Sequence, residues 1–593
     1  MADEDIVKTD LLIVGAGPAG ASLACFLASY GRTGIVIAAA PGTANTPRAH
    51  ITNMASLECL RDIGLEQACL DVATPSHNMA HTRWCYSMAG EEYARVYSWG
   101  HDPARKGDYE VASPCTHVDL PQTLLEPIFT QRAVHSGWTV RFNTRFLTMT
   151  RPADDVIISE VVDEVTKRTY KIQSRYLFGC DGARSQVVRE VGLPLIKKPG
   201  QGLALNVLVR ADMSHLMKSR VGNLHWVFRP DEVDYPPWGW SAVVRMVQAW
   251  NEWMFIFFAA PGADPRASDM EASNEEYLAR VKQLIGDDTV KVELLHVGKW
   301  WINETVAERY SDGNVFCLGD ATHRHPPFNG LGSNTCIQDA FNLAWKIHYV
   351  MAGKAGDRLL DSFSIERQPV GAGVISRANQ GLRDHVPWQT TIGMMEKDAE
   401  EKRRILAEFD DPGESGRRRR RQFREAIEKT TTEFHGLGIE MNQRYISGAI
   451  YLEDQPQPPP LPADPIKTHK ATTYPGFRLP HVWLNTRCPG ERVSTIDLAG
   501  KGRFCLFTGP GGQEWKQAAW KVSRSLQLEI ACYSIGWKQD FEDMYFDWAK
   551  KGEVEEDGCI LVRPDRFVAW RSAGMIQQPA EKLEEVLRTI LGL

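Results

Sequence analysis

The sequence predicts an α/β protein: a parallel sheet, interrupted by a β-rich insertion and followed by a small α/β domain. Three observations carry that expectation. An apolar run, Leu11 to Val14, passes straight into Gly15-Ala16-Gly17-Pro18-Ala19-Gly20 and an apolar helix. A second strand, Gly313 to Asp320, leads through a proline turn and Gly330-Leu331-Gly332 into another helix. Six prolines between residues 455 and 465 mark an extended, semi-rigid linker before the C-terminal part. At 593 residues the chain has room for three or four domains of ~150 residues each.

The first glycine motif has a mechanical reading. Gly15 allows the tight turn, Gly17 lets backbone approach a pyrophosphate, and Gly20 lets helix and strand pack closely. The helix expected over Ala21 to Tyr30 offers free N–H groups and partial positive charge to phosphates. This is a Rossmann-like dinucleotide site, with Gly34 to Ala38 as its second strand. The end of that strand normally supplies an acid to the adenosine ribose, but Ala38, Ala39 and Ala40 stand there. Thr46 to Asn53 then brings Arg48 and His50 into a proline-stiffened loop, and helices are expected from Met54 to Ile63 and Asp119 to Ala133.

Alternation from Val140 to Phe178 suggests an antiparallel excursion that returns through a strand ending in Cys180-Asp181-Gly182. Runs such as Ala242–Val247 and Trp253–Ala259 suggest the sheet of a second domain. Ser333 to Ala352 reads as the helix behind the second glycine signal, and its start suits an anion. Arg417 to Arg421 is read as the solvated face of a helix. Phe504–Thr508, a helix over 513–526 and Cys559–Val562 make up the small last domain. The expected division is 1–185 and 301–385 for the two parts of the first domain, 186–300 for the insertion, 386–465 for a helical and linker region, and 466–593 for the C-terminal domain.

Composition narrows the function. Hydrophobic residues make up 43% and charged residues 24%, as in ordinary globular proteins. A net charge of -7 gives no reason to expect nucleic acid. The 12 cysteines form no C-x-x-C pair and no zinc-spaced set, so they read as reduced thiols and no metal site is expected. Acidic residues precede the first apolar run, so neither a signal peptide nor a membrane span is expected, and the protein is expected in the cytoplasm.

Taken together, Gly15-x-Gly17-x-x-Gly20, Cys180-Asp181-Gly182, and Gly319-Asp320 with Pro326-Pro327 and Gly330-Leu331-Gly332 resemble the single-component FAD-dependent aromatic hydroxylases. The long form of that family, the phenol and dichlorophenol monooxygenases, is similar at Pro47–Asn53, Gly319–Pro327 and Asn342–Lys346. The resemblance implies an FAD-binding domain, an inserted β-sheet substrate domain and a thioredoxin-like C-terminal domain, here without C-x-x-C. It implies FAD as cofactor, NADPH or NADH and O2 as co-substrates, a small phenolic substrate and a homodimer. Gly15, Gly17, Ala19 and Gly20 would hold the ADP part of FAD, and Arg48 and Gln122 would touch the cofactor. Asp320 would bind the ribityl chain, with Gly319 and Pro327 in the same set, and Asp181 lies in a motif tied to both FAD and NAD(P)H. Gly330, Leu331, Gly332 and Asn334 would bring a helix N-terminus to the flavin pyrimidine.

The implied reaction passes oxygen from a flavin C4a-hydroperoxide to an electron-rich ring. A phenolate reacts better than a phenol, so a base with a pKa near the working pH suits the task. His50 is the candidate, because it stands where the family carries a carboxylate near the substrate hydroxyl. Arg245 and His325 are further catalytic candidates. The same flavin chemistry on a polyketide-type phenol is an alternative. Two others are a flavin halogenase, half-matched by Trp238-Gly239-Trp240, and a non-catalytic flavoprotein.

Overall fold

The computed structural model describes residues 6–198, 202–264 and 271–593. Five parallel strands run in the order Val315–Cys317, Tyr176–Gly179, Leu11–Val14, Ile35–Ile37 and Thr139–Arg141, and Ser311–Asp312 adds an antiparallel edge. Leu11, Leu12 and Ile13 are fully buried, which is why the first strand reads as an unbroken apolar run. Helix Pro18–Ser29 packs along helix Gly332–Met351, with the Phe26 ring edge-on to Phe341 at 5.0 Å. Sequence-distant glycine starts are thereby brought to one end of the sheet.

The antiparallel excursion consists of Thr144–Ala153, Val156–Asp163 and Thr169–Ser174, joined by Val7–Lys8. A second, seven-stranded sheet has the order Glu293–Trp301, Leu203–Arg210, Glu252–Phe258, Ser241–Gln248, Leu224–Phe228, His81–Cys85 and Glu92–Tyr97. Its last two strands come from before residue 185, so the division expected there cuts through this sheet. His81–Cys85 pairs in parallel with Leu224–Phe228, a long-range register that local alternation cannot reveal. One face of the sheet packs on helix Asn274–Ile285, which starts with a Ser273–Glu276 capping box. The other face turns Trp226, Val243 and Ile256 toward the glycine-lined end of the first sheet.

Residues 386–441 are largely helical, including Ala399–Asp410 and Glu414–Thr430. The arginine run lies on the latter: Arg419 pairs with Glu408, and Arg420 donates to the Phe409 and Asp411 carbonyls. In the C-terminal part, Phe504–Thr508 and Ile530–Ser534 are parallel and joined by helix Gln513–Leu526. Cys559–Val562 and Val568–Ser572 extend the sheet antiparallel, and helix Pro579–Leu591 closes it, a thioredoxin-like plan.

This part is bound to the first sheet domain by buried charge. Arg563 donates to both Glu366 oxygens at 2.6 and 2.9 Å and to Asp565, while Lys346 reaches Glu366 at 2.7 Å. The side chains of Arg563, Glu366 and Lys346 are wholly buried. Next to this group, Arg367 donates to Asp339 Oδ1 at 2.7 Å and to the Tyr445 hydroxyl at 2.9 Å. Asp339 Oδ2 in turn meets His323 Nε2 at 2.8 Å and accepts from Gly319 N–H at 3.3 Å. Two buried ionic groups, joined through the chain neighbours Glu366 and Arg367, therefore link the C-terminal part to the glycine turn before Asp320. Among the described residues no helix is long and apolar enough to cross a membrane.

Candidate active site

Both glycine-started helices open on one cleft of about 1440 Å³, between the parallel sheet and the seven-stranded sheet. Gly15 has φ +111°, and a Cβ there would stand 2.1 Å from the Cys180 carbonyl oxygen, so only glycine fits the turn. At Gly17 a Cβ would meet nothing nearer than Glu126 Oε1 at 3.8 Å, which leaves the backbone open to a ligand. A Cβ on Gly20 would lie 2.0 Å from Gly15 O; this glycine permits close packing beneath the cleft. Gly319, at φ +62°, is likewise wedged between Cys336 and Ala19.

Neither helix start has a side-chain cap: Gly17 and Leu331 are the N-cap residues, and backbone N–H groups remain to be satisfied at the cleft. Arg48 lines the cleft and its guanidinium makes no hydrogen bond among the described residues; the Asp320 carboxylate is similarly free. Uncapped helix starts, a glycine cradle, a free cation and a free carboxylate suit FAD, whose pyrophosphate and ribityl hydroxyls need these partners. Gln122 also lines the cleft and donates to Glu126 at 2.5 Å; burial pushes the Glu126 carboxyl above its ordinary range.

Ala19, Asp181, Pro327, Gly330, Gly332 and His325 line the same cleft. Asp181, however, spends its carboxylate on a turn, accepting from Gln186 N–H at 2.7 Å and Val187 N–H at 3.1 Å. Leu331 is buried behind the helix start. Asn334 is not a lining residue but a clamp: Nδ2 donates to Ile51 O at 2.8 Å and Gly330 O at 2.6 Å, and Oδ1 accepts from Asn53 N–H at 2.9 Å. It thus joins the His50 segment to the second helix. Asn334→Ala is expected to weaken FAD binding about 10-fold, because each lost hydrogen bond contributes about 0.5–1.5 kcal/mol; a fluorescence titration with FAD checks this.

His50 lines the cleft with Nδ1 2.9 Å from Asp119 Oδ2. A carboxylate only accepts, so the proton sits on Nδ1 and the Nε2 lone pair is free. Asn223 Nδ2 donates to the same Asp119 oxygen at 2.9 Å and holds it in place. Burial and the nearby Arg245 charge lower the His50 pKa below 6.5, against the opposing pull of Asp119. Neither Asp119 nor Asn223 was expected at the site. Asp119 reads locally as the start of a helix, yet that helix begins at Gln122 and Asp119 ends the strand Val118–Asp119.

Arg245 is buried and acts on the loop: its guanidinium donates to Arg48 O at 2.6 Å and Pro47 O at 2.8 Å. Burial lowers its pKa to about 10, which still leaves it cationic at neutral pH. His325 donates from Nδ1 to its neighbour's carbonyl, Pro326 O, at 2.7 Å, and burial lowers its pKa to about 4. It is neutral in the working range, and its Nε2 lies 3.8 Å from where a Gly332 Cβ would stand. Trp238 packs on Phe257 and Tyr277 away from the cleft, and Trp240 is buried too, so the paired tryptophans are core.

Comparisons with known proteins point to the same cofactor. Residues 8–378 match the FAD binding domain family, and residues 472–593 match the aromatic-ring hydroxylase C-terminal family. The chain is 42% identical over 587 residues to 2,4-dichlorophenol 6-monooxygenase of Cupriavidus pinatubonensis, covering 99% of this chain and 97% of that one. It is 39% identical to phenol 2-monooxygenase of a Pseudomonas species, covering 99% and 93%. Among solved structures, the flavin-dependent monooxygenase PieE in complex with FAD and substrate superposes with a TM-score of 0.92 at 37% identity, covering 99% of this chain and all of that one. The chain belongs to the FAD-dependent aromatic-ring monooxygenases, enzymes that use NAD(P)H and O2.

Proposed function

We propose that this chain hydroxylates a small phenol, with His50 as the base that takes the phenolic proton. Bound FAD, reduced by NAD(P)H, supplies the activated oxygen; the chain's own residues place the ring and set its charge. The observation that carries the reading is the His50–Asp119–Asn223 line at the wall of the cleft that holds the glycine cradle. Asp119 fixes the tautomer and leaves Nε2 to accept the proton. The phenolate so formed faces the buried Arg245 cation, and opposite charge favours the ionised form. Leu224, Trp226 and Phe258 give the ring an apolar floor that excludes water.

A weakly basic imidazole is matched to an acidic hydroxyl, so ring halogens that acidify a phenol aid the transfer. Gly15, Gly17 and Arg48 would hold the pyrophosphate, Asp320 the ribityl hydroxyls, and the Gly332 helix start the pyrimidine edge, where reduction builds negative charge. Asn334 acts through the loops it fixes, while Arg245 both holds the Pro47–Arg48 turn and adds positive charge beside His50.

The test is a panel of phenols, including phenol and 2,4-dichlorophenol, added to the FAD-loaded enzyme with NADPH. Accelerated NADPH oxidation and a product heavier by one oxygen are expected; if no phenol accelerates oxidation, the proposal fails.

A further inference from the structure

Glu433 has no part in the chemistry above, yet it is one of the residues that line the cleft. It follows helix Glu414–Thr430, in the turn Thr431–Glu433. Its Oε2 stands 2.9 Å from His385 Nε2, while Trp388 Nε1 donates to His385 Nδ1 at 2.9 Å. An indole N–H can only donate, so His385 accepts at Nδ1 and donates from Nε2 to Glu433. Oε1 takes no hydrogen bond among the described residues, and with the side chain 10% exposed its open edge is the cleft.

The position is fixed from two sides. Asn329, at φ +64° in the turn before Gly330, donates from Nδ2 to Thr432 O at 2.8 Å and Glu433 O at 3.3 Å. His385 stacks on Trp226 with ring centroids 4.0 Å apart. His50 is tied to Asn223 through Asp119, and Glu433 to Trp226 through His385. Both groups are thus anchored on one segment, at the start of the strand Leu224–Phe228, and both line the same cleft.

We infer that Glu433 Oε1 accepts a hydrogen bond from a donor on the side of the substrate ring away from the hydroxyl that meets His50. The chamber thereby selects phenols with a second donor, a hydroxyl or N–H, and disfavours rings bearing a carboxylate. The inference rests on the reading of His50 under "Proposed function" and acts in addition to hydroxyl acidity. A near-isosteric substituent without the donor leaves a confined carboxylate oxygen unpaired, and sites built to pair a polar group discriminate strongly against such analogues.

The probes are 3- and 4-(hydroxymethyl)phenol against 3- and 4-ethylphenol, with 3- and 4-hydroxybenzoate as anions. Product formation by the FAD-loaded enzyme is read as kcat/KM. In the wild type the hydroxymethyl compound is favoured over its ethyl partner about 10-fold or more at one ring position or both, as a charge-assisted hydrogen bond gives, and the benzoates are not turned over. In Glu433→Gln the amide oxygen can still accept from His385 and the amide N–H faces the chamber. The ratio then falls to within about threefold, and hydroxybenzoate turnover rises. A wild-type ratio near one, or a ratio unchanged in Glu433→Gln, overturns the inference. Should the variant not retain FAD, flavin difference spectra of the wild type titrated with the same pairs decide, and equal Kd values overturn it. If none of these phenols speeds NADPH oxidation, the hydroxylase reading falls; if ethylphenols are hydroxylated as well as their partners, only the Glu433 inference falls.

Discussion

His50→Ala is expected to cut hydroxylated product by about 10²–10⁴-fold, the usual contribution of a positioned base. NADPH oxidation continues in the variant, and the reducing equivalents leave as hydrogen peroxide instead of product. The ratio of product to NADPH consumed, measured alongside peroxide, checks this; unchanged coupling rejects His50 as the base. A pH profile adds a sign. In the proposed role of His50 the neutral imidazole is the active form, so activity is expected to be lost as pH falls through the His50 pKa. Burial and Arg245 lower that pKa, which puts the acid limb below 6.5. Arg245→Gln removes the like charge and moves the limb to higher pH. Asp119→Asn removes an influence that raises the pKa and moves it lower, while the amide loosens the hold on the Nδ1 tautomer.

The second large effect lies away from the chemistry. Arg563→Met leaves Glu366 buried beside Lys346 without its two guanidinium hydrogen bonds. Removing one partner of a buried pair costs about 3–5 kcal/mol, because the other charge stays desolvated. The variant is expected to unfold at distinctly lower denaturant concentration. It is also expected to release FAD more readily, since Glu366 is adjacent to Arg367, which holds Asp339, and Asp339 accepts from Gly319 N–H. Double replacement of Arg563 and Glu366 by methionine and glutamine should recover part of the stability, as a pair removed together costs less than a pair broken. A single variant as stable as the wild type contradicts this account of the C-terminal part as a brace.

Much of this architecture was legible in the chain because its signals are local. The apolar strand Leu11–Val14, the glycine turn behind it and the helix at 332–351 are each contiguous, and their boundaries fall within a few residues of expectation. His50 and Arg48 stood out for the same reason, in one short proline-stiffened loop. What the chain hid is long-range. Asp119 meets His50 from 69 residues further along, and Asn223 meets Asp119 from another 104, through a sheet register that no local pattern announces. The strands His81–Cys85 and Glu92–Tyr97 belong to the seven-stranded sheet for the same reason. Arg245 was legible as important but not in its role, since donating to the Pro47 and Arg48 carbonyls depends on which loop the sheet faces. Asn334, expected at a helix start beside the flavin, ties two loops together instead.

We propose that one cleft, built on the Gly15 turn and the Gly332 helix start, holds the flavin. The direct measurement is titration of the flavin-stripped chain with FAD, followed by quenching of flavin fluorescence, for the wild type and Gly15→Val. The wild type is expected to take up one FAD per chain, and Gly15→Val none, because a side chain at φ +111° collides with the Cys180 carbonyl. A wild-type chain that takes up no FAD, or a Gly15→Val variant that binds it as tightly, would contradict the account.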